Sequence, residues 1–458
     1  MAAPDLKTIA VLGAGITGLT AAHRLHRLGH RVRVFEQSER VGGAIQTERH
    51  DGWLVESGPN SILSGEPSLD ALIAELGLDA ARVKANPAAK KRFLVRRGRL
   101  VVAPLSLRAL LSSPLFSPLA KLAIFSELAA RRRVRASDVS LADFIGSHFG
   151  REFVDYALNP FVSGVYAGDP RKLSARHAFP KLWELEQTHG SLLRGQLALA
   201  RERRQQGGSA PAIFSFSEGL QMLPDRLAAA LPDGAIQREA TLDAILPGGN
   251  WSVVWHDAHN THTETFDAIV VALPAPALAQ LRIGSLGERP LAALSAIEHP
   301  PVSSLFLGYR LEQIAHPLDG FGLLVPAREA RRLLGVLFSS TLFPGRAPAG
   351  HVAITVMTGG ARQPELATLT DPALFEEVGP DLAELLGVRG EPAFVRRRVW
   401  PRAIPQYTLG YEQFLGALNA AERSHRGLLF GGQARDGISV PACVAAGEKL
   451  AARVIDGS

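Results

Sequence analysis

Residues 8–36 read TIAVLGAGITGLTAAHRLHRLGHRVRVFE. Thr8 to Leu12 is a short apolar run, as a parallel strand buried on both faces requires. Gly13-Ala14-Gly15-Ile16-Thr17-Gly18 follows, and then a helical pattern from Leu19 to Leu28 that stops at Gly29. Arg31 to Glu36 repeats the strand pattern. Strand, glycine turn, helix and strand close within about 30 residues, the size of a βαβ unit. Gly13 permits the tight turn, and Gly15 lets backbone amides, with those of Ala14, Ile16 and Thr17, approach a pyrophosphate. Gly18 lets helix and strand pack closely, and the positive end of the helix faces the phosphates. Glu36, with Gln37 beside it, can accept hydrogen bonds from ribose hydroxyls and would repel a 2′-phosphate.

Around this unit lies a chain of 458 residues, enough for two or three domains at roughly 100–200 residues each. It is 46% hydrophobic and 21% charged, which excludes a disordered chain, a collagen-like fibre and a coiled-coil rod. A single cysteine, Cys443, excludes an internal disulfide and any multi-thiolate metal site, and no metal is expected. Cysteine usage suits a cytosolic or cytosol-facing protein. The net charge of +6 admits nucleic acid, an anionic membrane surface or an acidic substrate. No nucleic-acid module signature is present, so nucleic acid is not expected as a partner. Met1 to Lys7 lacks the features of a signal peptide, and no charge-free apolar run of about 18 residues is found.

Further along, Arg40-Val41-Gly42-Gly43 follows the acid closely, and Ala44 follows the glycine pair. A second glycine pair there brings backbone to the pyrophosphate again, an arrangement expected of flavoproteins rather than of simple nicotinamide dehydrogenases. Trp53 to Glu56 reads as a strand, followed by Gly58-Pro59-Asn60-Ser61, and Ser68 to Leu76 as a short helix capped by Ser68. Between about 103 and 204 the texture changes to proline-punctuated apolar stretches, Leu105 to Phe116 and Leu119 to Ala130, alternating with basic clusters at Arg131–Arg133 and Arg201, Arg203 and Arg204. This suggests a helical insertion, closed by a polar loop at Gln205 to Ala210. Phe266 to Ala272 reads as a buried strand, and residues from about 300 to 398 as an antiparallel sheet face. The chain ends with a strand at Gly427 to Phe430, the pair Gly431-Gly432, and a helix from about Val440 to Val454. The Asp436 to Pro441 segment opens that helix and aims its amides at an electron-rich ring, which stabilises negative charge by about 0.3–1 kcal/mol, up to about 2 kcal/mol when partly buried.

Together these residues resemble the flavin-dependent amine-oxidase superfamily, and within it the oxygen-dependent protoporphyrinogen oxidases of plastid and bacterial type. The resemblance covers nearly the whole chain. Its most specific block is Pro160-Phe161-Val162-Ser163-Gly164-Val165-Tyr166-Ala167-Gly168-Asp169-Pro170 with Leu173-Ser174. Supporting blocks are Leu54 to Ser61, Leu185-Glu186-Gln187, Gly190-Ser191-Leu192, Ser217 to Pro224, Pro405-Gln406-Tyr407 and Gly431 to Val440. It implies an α/β chain, α+β overall: a discontinuous Rossmann-like FAD-binding domain (1–90, 206–265 and 399–458), a mixed-sheet substrate domain (266–398) and an inserted helical domain (95–205) that meets the membrane. It also implies six-electron oxidation of protoporphyrinogen IX by non-covalent FAD, with molecular oxygen reduced to hydrogen peroxide.

Carried over residue by residue, Gly58 to Ser61 would face the flavin, Leu242 would cover the adenine, and Trp400 would lie near the isoalloxazine. Gly432, Ile438, Ser439 and Val440 would meet the pyrimidine end of the ring, and Ala44 leaves only backbone contact. For the substrate, Arg92 would hold a carboxylate, with Gly164 close by. Phe93, Phe161, Val162, Val165 and the 320–340 region would form an apolar slot. No catalytic side chain is named: the lysine that amine oxidases of the superfamily commonly place near the flavin is missing, since there is no Lys between Lys181 and Lys449. His148, His177 and His189 read as surface or satisfied core positions. A coproporphyrinogen III oxidase of the same fold, a carotenoid-desaturase-type flavoenzyme and a prenyl-protein escort factor are the alternatives. Leu105 to Ala130 suits a peripheral contact on the inner face of a membrane, and a buried helix pair with a solvated basic rim fits the same composition. The sequence also admits a homodimer.

Overall fold

The computed structural model describes residues 6–129, 135–205, 211–284 and 288–457. The opening stretch folds as its pattern requires: β1 (Thr8–Leu12), α1 (Ile16–Arg27) and β2 (Arg31–Phe35). Ile9 to Leu12 is fully buried, because β1 lies between two other strands and under helices. A hairpin follows, β3 (Thr47–His50) with β4 (Trp53–Glu56). After a short helix, β5 (Lys91–Arg96) and β6 (Arg99–Val102) lead into a helical lobe. That lobe holds α2 (Leu107–Ser112), α3 (Pro118–Ser126), α4 (Leu141–Phe149), α5 (Asn159–Tyr166), α6 (Pro180–His189) and α7 (Leu192–Gln205). The chain returns through β7 (Ile213–Phe216), α8 (Met222–Ala229), β8 (Ile236–Gln237), β9 (Thr241–Leu246) and β10 (Ala268–Val271). It then forms β11 (Val302–Arg310), β12 (Gly320–Leu324), β13 (Gly335–Leu337), β14 (His351–Gly359), α9 (Asp371–Leu386) and β15 (Phe394–Trp400). It closes with α10 (Glu412–Ser424), β16 (Leu428–Phe430) and α11 (Val440–Asp456).

Two sheets organise the molecule. The first is a five-stranded parallel sheet in the order β8-β2-β1-β10-β16, with Val11 paired to Val34 on one side and Val270 on the other. The second has seven strands, β15-β11-β14-β13-β12-β5-β6, antiparallel except where β5 runs parallel to β12. Three expected boundaries move. β10 pairs with β1, so the parallel sheet extends past 266 into the segment expected to belong to the substrate domain. β5 and β6 join the seven-stranded sheet, so residues 95–102, expected in the helical insertion, belong with that sheet. The helix near 70 spans Pro67–Glu75 with Glu66, not Ser68, before it, because the fixed φ of Pro67 suits the first helical position.

The helical lobe is built around a buried polar centre. The His148 ring lies between two carboxylates of zero exposure, with Nδ1 3.0 Å from Glu127 and Nε2 3.0 Å from Glu186. Both ring nitrogens therefore face a buried carboxylate. Glu127 also accepts bonds from the Ser191 hydroxyl and the Leu192 and Leu193 amides, and Arg135 forks onto Glu186. The basic cluster 131–133 and the loop 206–210 fall outside the described residues, as do the side chains at 203 and 204.

Burial pushes the Glu127 carboxyl up, but the bonds from His148, Ser191 and the two amides outweigh it and hold the group below its ordinary value. Its contribution to stability is therefore complete above the unfolded value of about 4.3 and is lost as pH falls below it. Removing the ring, His148→Leu, leaves two buried carboxylates facing an apolar group, and is expected to cost about 3–5 kcal/mol in denaturant unfolding at neutral pH.

Candidate functional site: a dinucleotide cradle facing an apolar sheet

The glycine turn between β1 and α1 is tightly specified. A Cβ on Gly18 would come 1.9 Å from the Gly13 carbonyl oxygen, so only glycine lets α1 lie this close to the turn. Gly15 is the opposite case: a Cβ there would meet nothing within 4 Å. The space belongs to something the chain does not supply. The start of α1 has no side-chain cap and no acid in its first turn, which leaves its amides for an external anion. Gly42 donates to the Ala14 carbonyl at 2.8 Å, and Gly15 and Gly42 form a parallel bridge, so the two glycine pairs make one cradle.

Glu36 closes the cradle. One carboxylate oxygen accepts the Ala14 amide at 2.8 Å, and the other accepts the Ser38 amide and hydroxyl. Gln37 follows it in the loop after β2. Arg40, expected at the cofactor, uses its guanidinium as a brace, donating to the carbonyls of Val41, Gly43 and Ile45. Leu242 lies in β9 at a bulge, and the chain just before it, at Ala240, donates to the Glu36 carbonyl at 2.9 Å.

The C-terminal segment arrives at the same place. Gly432 lies beside Thr17, and its amide donates to Asp436 at 2.8 Å, which fixes the loop to Ile438. Ser439 caps α11 through the Ala442 amide, and Val440 is its first residue. Cys443 is buried in that helix, and burial pushes its thiol up to about 11. Ala44 meets the loop after β4 through its backbone, where a Cβ on Gly58 would come 1.9 Å from the Ala44 carbonyl oxygen. Trp400 donates its indole N–H to the Ser57 carbonyl at 2.8 Å, and Asn60 donates to Gly58. Gly58, Pro59, Asn60 and Ser61 thus lie between the cradle and the seven-stranded sheet.

The sheet presents one face to this loop. Arg92 on β5 is in register with Gly322, Leu337, Thr355 and Phe306, and the neighbouring row holds Leu94, Leu324, Gly335 and Met357. Trp400 lies on the same face at the far edge, opposite Val302. Lys91 is paired with Asp319 and Arg96 with Glu152, whereas the Arg92 guanidinium stacks on the Phe321 ring at 5.2 Å and has no acidic partner among the described residues. On α5, Gly164 rests on the sheet, where a Cβ would come 2.6 Å from the Leu324 side chain, and Phe161 and Val165 stand exposed.

Two expected slot residues turn away. Phe93 follows Arg92 on a strand and therefore points to the other face, into a core with Phe338 and His316. Val162 is fully buried in the core beneath α5, because it lies off the helix face that carries Phe161 and Val165. Sequence reasoning also passed over Arg346, which pairs with buried Glu56 at 3.1 Å beneath the loop. A lone arginine in a loop carries no signal for such a contact.

Open space at Gly15, uncapped amides at α1 and a carboxylate just after β2 fit FAD. The geometry is that of a dinucleotide-dependent oxidoreductase with a second sheet set against the cradle. Residues 16–455 match the family described as flavin containing amine oxidoreductase. The chain is 33% identical to protoporphyrinogen oxidase 2, chloroplastic/mitochondrial, of Arabidopsis thaliana over 98% of this chain and 94% of that one. It is 33% identical to protoporphyrinogen oxidase of Homo sapiens over 98% of both. Its fold matches the crystal structure of a putative protoporphyrinogen oxidase from Exiguobacterium with a TM-score of 0.83, 24% identity and coverage of 99% and 100%. The chain belongs to the flavin containing amine oxidoreductases, and within them to the protoporphyrinogen oxidases; its cofactor is FAD.

The two glycines separate cofactor binding from folding. Gly15→Val should fold with an unchanged far-ultraviolet spectrum but elute from gel filtration without the visible absorbance of oxidised flavin. Gly18→Val should lose both flavin and thermal stability, since its side chain meets backbone.

Proposed function

We propose that this protein oxidises protoporphyrinogen IX to protoporphyrin IX, removing six electrons in pairs, with molecular oxygen as the final acceptor. Each electron pair, with two protons, reduces one oxygen to one hydrogen peroxide. FAD, held non-covalently by Gly13 to Gly18, Glu36, Gly42, Gly43 and the Gly432 to Val440 segment, supplies the electron acceptor. The observation that carries the reading is Arg92, a cation without an acidic partner at the rim of an apolar sheet face that confronts the Gly58–Ser61 loop.

The division of labour follows from the residues. Arg92 offers a planar fork to one propionate of the macrocycle. Leu337 and Met357 give the ring system an apolar bed that excludes water, exposed Phe161 on α5 flanks it, and the contact of Gly164 with Leu324 closes one end. The two register rows through Arg92 and Leu94 contain no carboxylate. Protons leaving the pyrrole nitrogens pass to water or to the substrate's own propionates, so the chain's task is placement, not proton transfer. On the same face Arg96 is paired with Glu152, Arg396 with Glu48, and Arg398 stacks on the Trp400 ring, which favours a substrate with two propionates over coproporphyrinogen III with four.

The protein works as a peripheral membrane protein on the cytosol-facing side. Leu105, Leu111, Leu119 and Leu122 stand exposed on and around α2 and α3, and no helix among the described residues is long and apolar enough to cross a membrane. Sedimentation with anionic liposomes should carry the protein down at low salt and less at high salt; absence from the pellet at both salts would remove the membrane from this reading.

Porphyrin fluorescence should appear from protoporphyrinogen IX only in air, faster than from coproporphyrinogen III. Porphyrin from neither substrate, or protein without bound flavin, would overturn the reading in favour of a binding protein. Arg92→Ala, which removes a charged hydrogen bond of about 1.5–3 kcal/mol, should raise KM about ten- to a hundredfold with a smaller change in kcat.

A further inference from the structure

Glu56 ends β4 and is followed directly by the loop that faces the cradle. Its side chain is 4% exposed and accepts three bonds: from the Leu220 amide at 2.9 Å, the Thr47 hydroxyl at 2.7 Å and the Arg346 guanidinium at 3.1 Å. Arg346, equally buried, comes from the turn after β13, within the chain segment of the seven-stranded sheet. Its second nitrogen donates to the Ser215 hydroxyl on β7 at 2.6 Å. One ion pair therefore ties together the hairpin, the segment that returns to the parallel sheet, and the unit that bears the substrate face.

The pair is an expensive way to hold a fold together. Burial pushes the Glu56 carboxyl above its ordinary value, against the pull of Arg346, Thr47 and the Leu220 amide, and burial lowers Arg346 as well. An apolar pair of similar volume holds such a junction as well or better. Apolar contacts supply no direction, however, whereas three bonds to one carboxylate fix the end of β4 in place. The loop is fastened on its other side by the Ser57 amide to the Gln46 carbonyl and by Trp400 to Ser57. A small cavity lies between the two, bounded by Glu56, Asn60 and Arg346 on one side and by Phe306, Leu337 and Ser339 on the other. Leu337 is in the register row of Arg92.

We propose that Glu56 and Arg346 are positioning residues for the oxidation: the pair sets the separation and orientation of the Ser57–Ser61 loop relative to the sheet face that takes the substrate, touching neither substrate nor cofactor. The inference rests on the flavin and porphyrinogen reading given above. It deepens that reading by assigning the geometry of the two facing surfaces to a single buried contact.

The test uses the flavin-loaded protein and the double variant Glu56→Leu/Arg346→Met, which leaves no unpaired charge. Arg346→Lys is the conservative control, keeping the charge without the fork. The double variant should fold with a thermal midpoint at or above that of the wild type and keep its flavin. The visible circular dichroism of that flavin should change, and kcat should fall about tenfold or more while KM stays within about twofold. Arg346→Lys should recover part of kcat. A double variant with wild-type kcat and an unchanged flavin spectrum would overturn the proposal. So would a rise in KM at constant kcat, which makes the pair part of substrate binding, or a double variant that fails to fold, which makes it structural. If the wild type itself leaves porphyrinogen unoxidised, the functional reading falls, and the flavin spectrum of the variant still decides whether the pair orients the loop.

Discussion

A pyrophosphate can be held by bare backbone amides only where no side chain stands in the way, and the molecule is arranged around that constraint. Gly18 brings α1 down onto the Gly13 carbonyl, which no larger residue allows, and Gly15 leaves open the space in front of the helix. The amides at the start of α1 are neither capped nor met by an acid of the first turn. The rest of the chain is organised to reach this point. β10 and β16 extend the sheet beside β1, and the Gly432 loop returns from the far end of the sequence to lie against Thr17. A parallel sheet accepts strands from distant parts of a chain because each is buried on both faces, whichever segment supplies it.

The second sheet is a wall set against that cradle, and its charges are sorted by pairing. Lys91, Arg96 and Arg346 each have a carboxylate, and the last two pairs fasten the sheet to the helical lobe and to the β3–β4 hairpin. Arg92 is left without one, over an aromatic ring at the rim of an apolar face. In the helical lobe the His148 ring bridges Glu127 and Glu186, so the lobe that carries the exposed leucines is braced from within.

Residues close in sequence could be read well where one periodicity governed them. The βαβ unit, the second glycine pair, Glu36 and the C-terminal helix behind Ser439 follow from local pattern, and all of them meet in one place. Phe93 was misplaced although the rule that places it is local: next to Arg92 on a strand, it must point the other way. Val162 was misplaced because the helix face of Phe161 and Val165 excludes it. The boundaries near 95 and 266 were misjudged for a different reason. β5 and β10 are strands by pattern, but which sheet a strand joins depends on partners hundreds of residues away.

The sequence by itself determined the cofactor class and the two ends of its cradle, because dinucleotide binding demands glycines and an acid at short, fixed spacings along one βαβ turn. It also carried the family, through the block from Pro160 to Pro170. Only the tertiary structure decided that Arg92 is left without an acid among the described residues, and that Glu56 meets Arg346 beneath the Ser57–Ser61 loop. The reason is physical. An arginine's role is set by whether a carboxylate reaches it, and that carboxylate comes from across the fold, where no local spacing records its arrival.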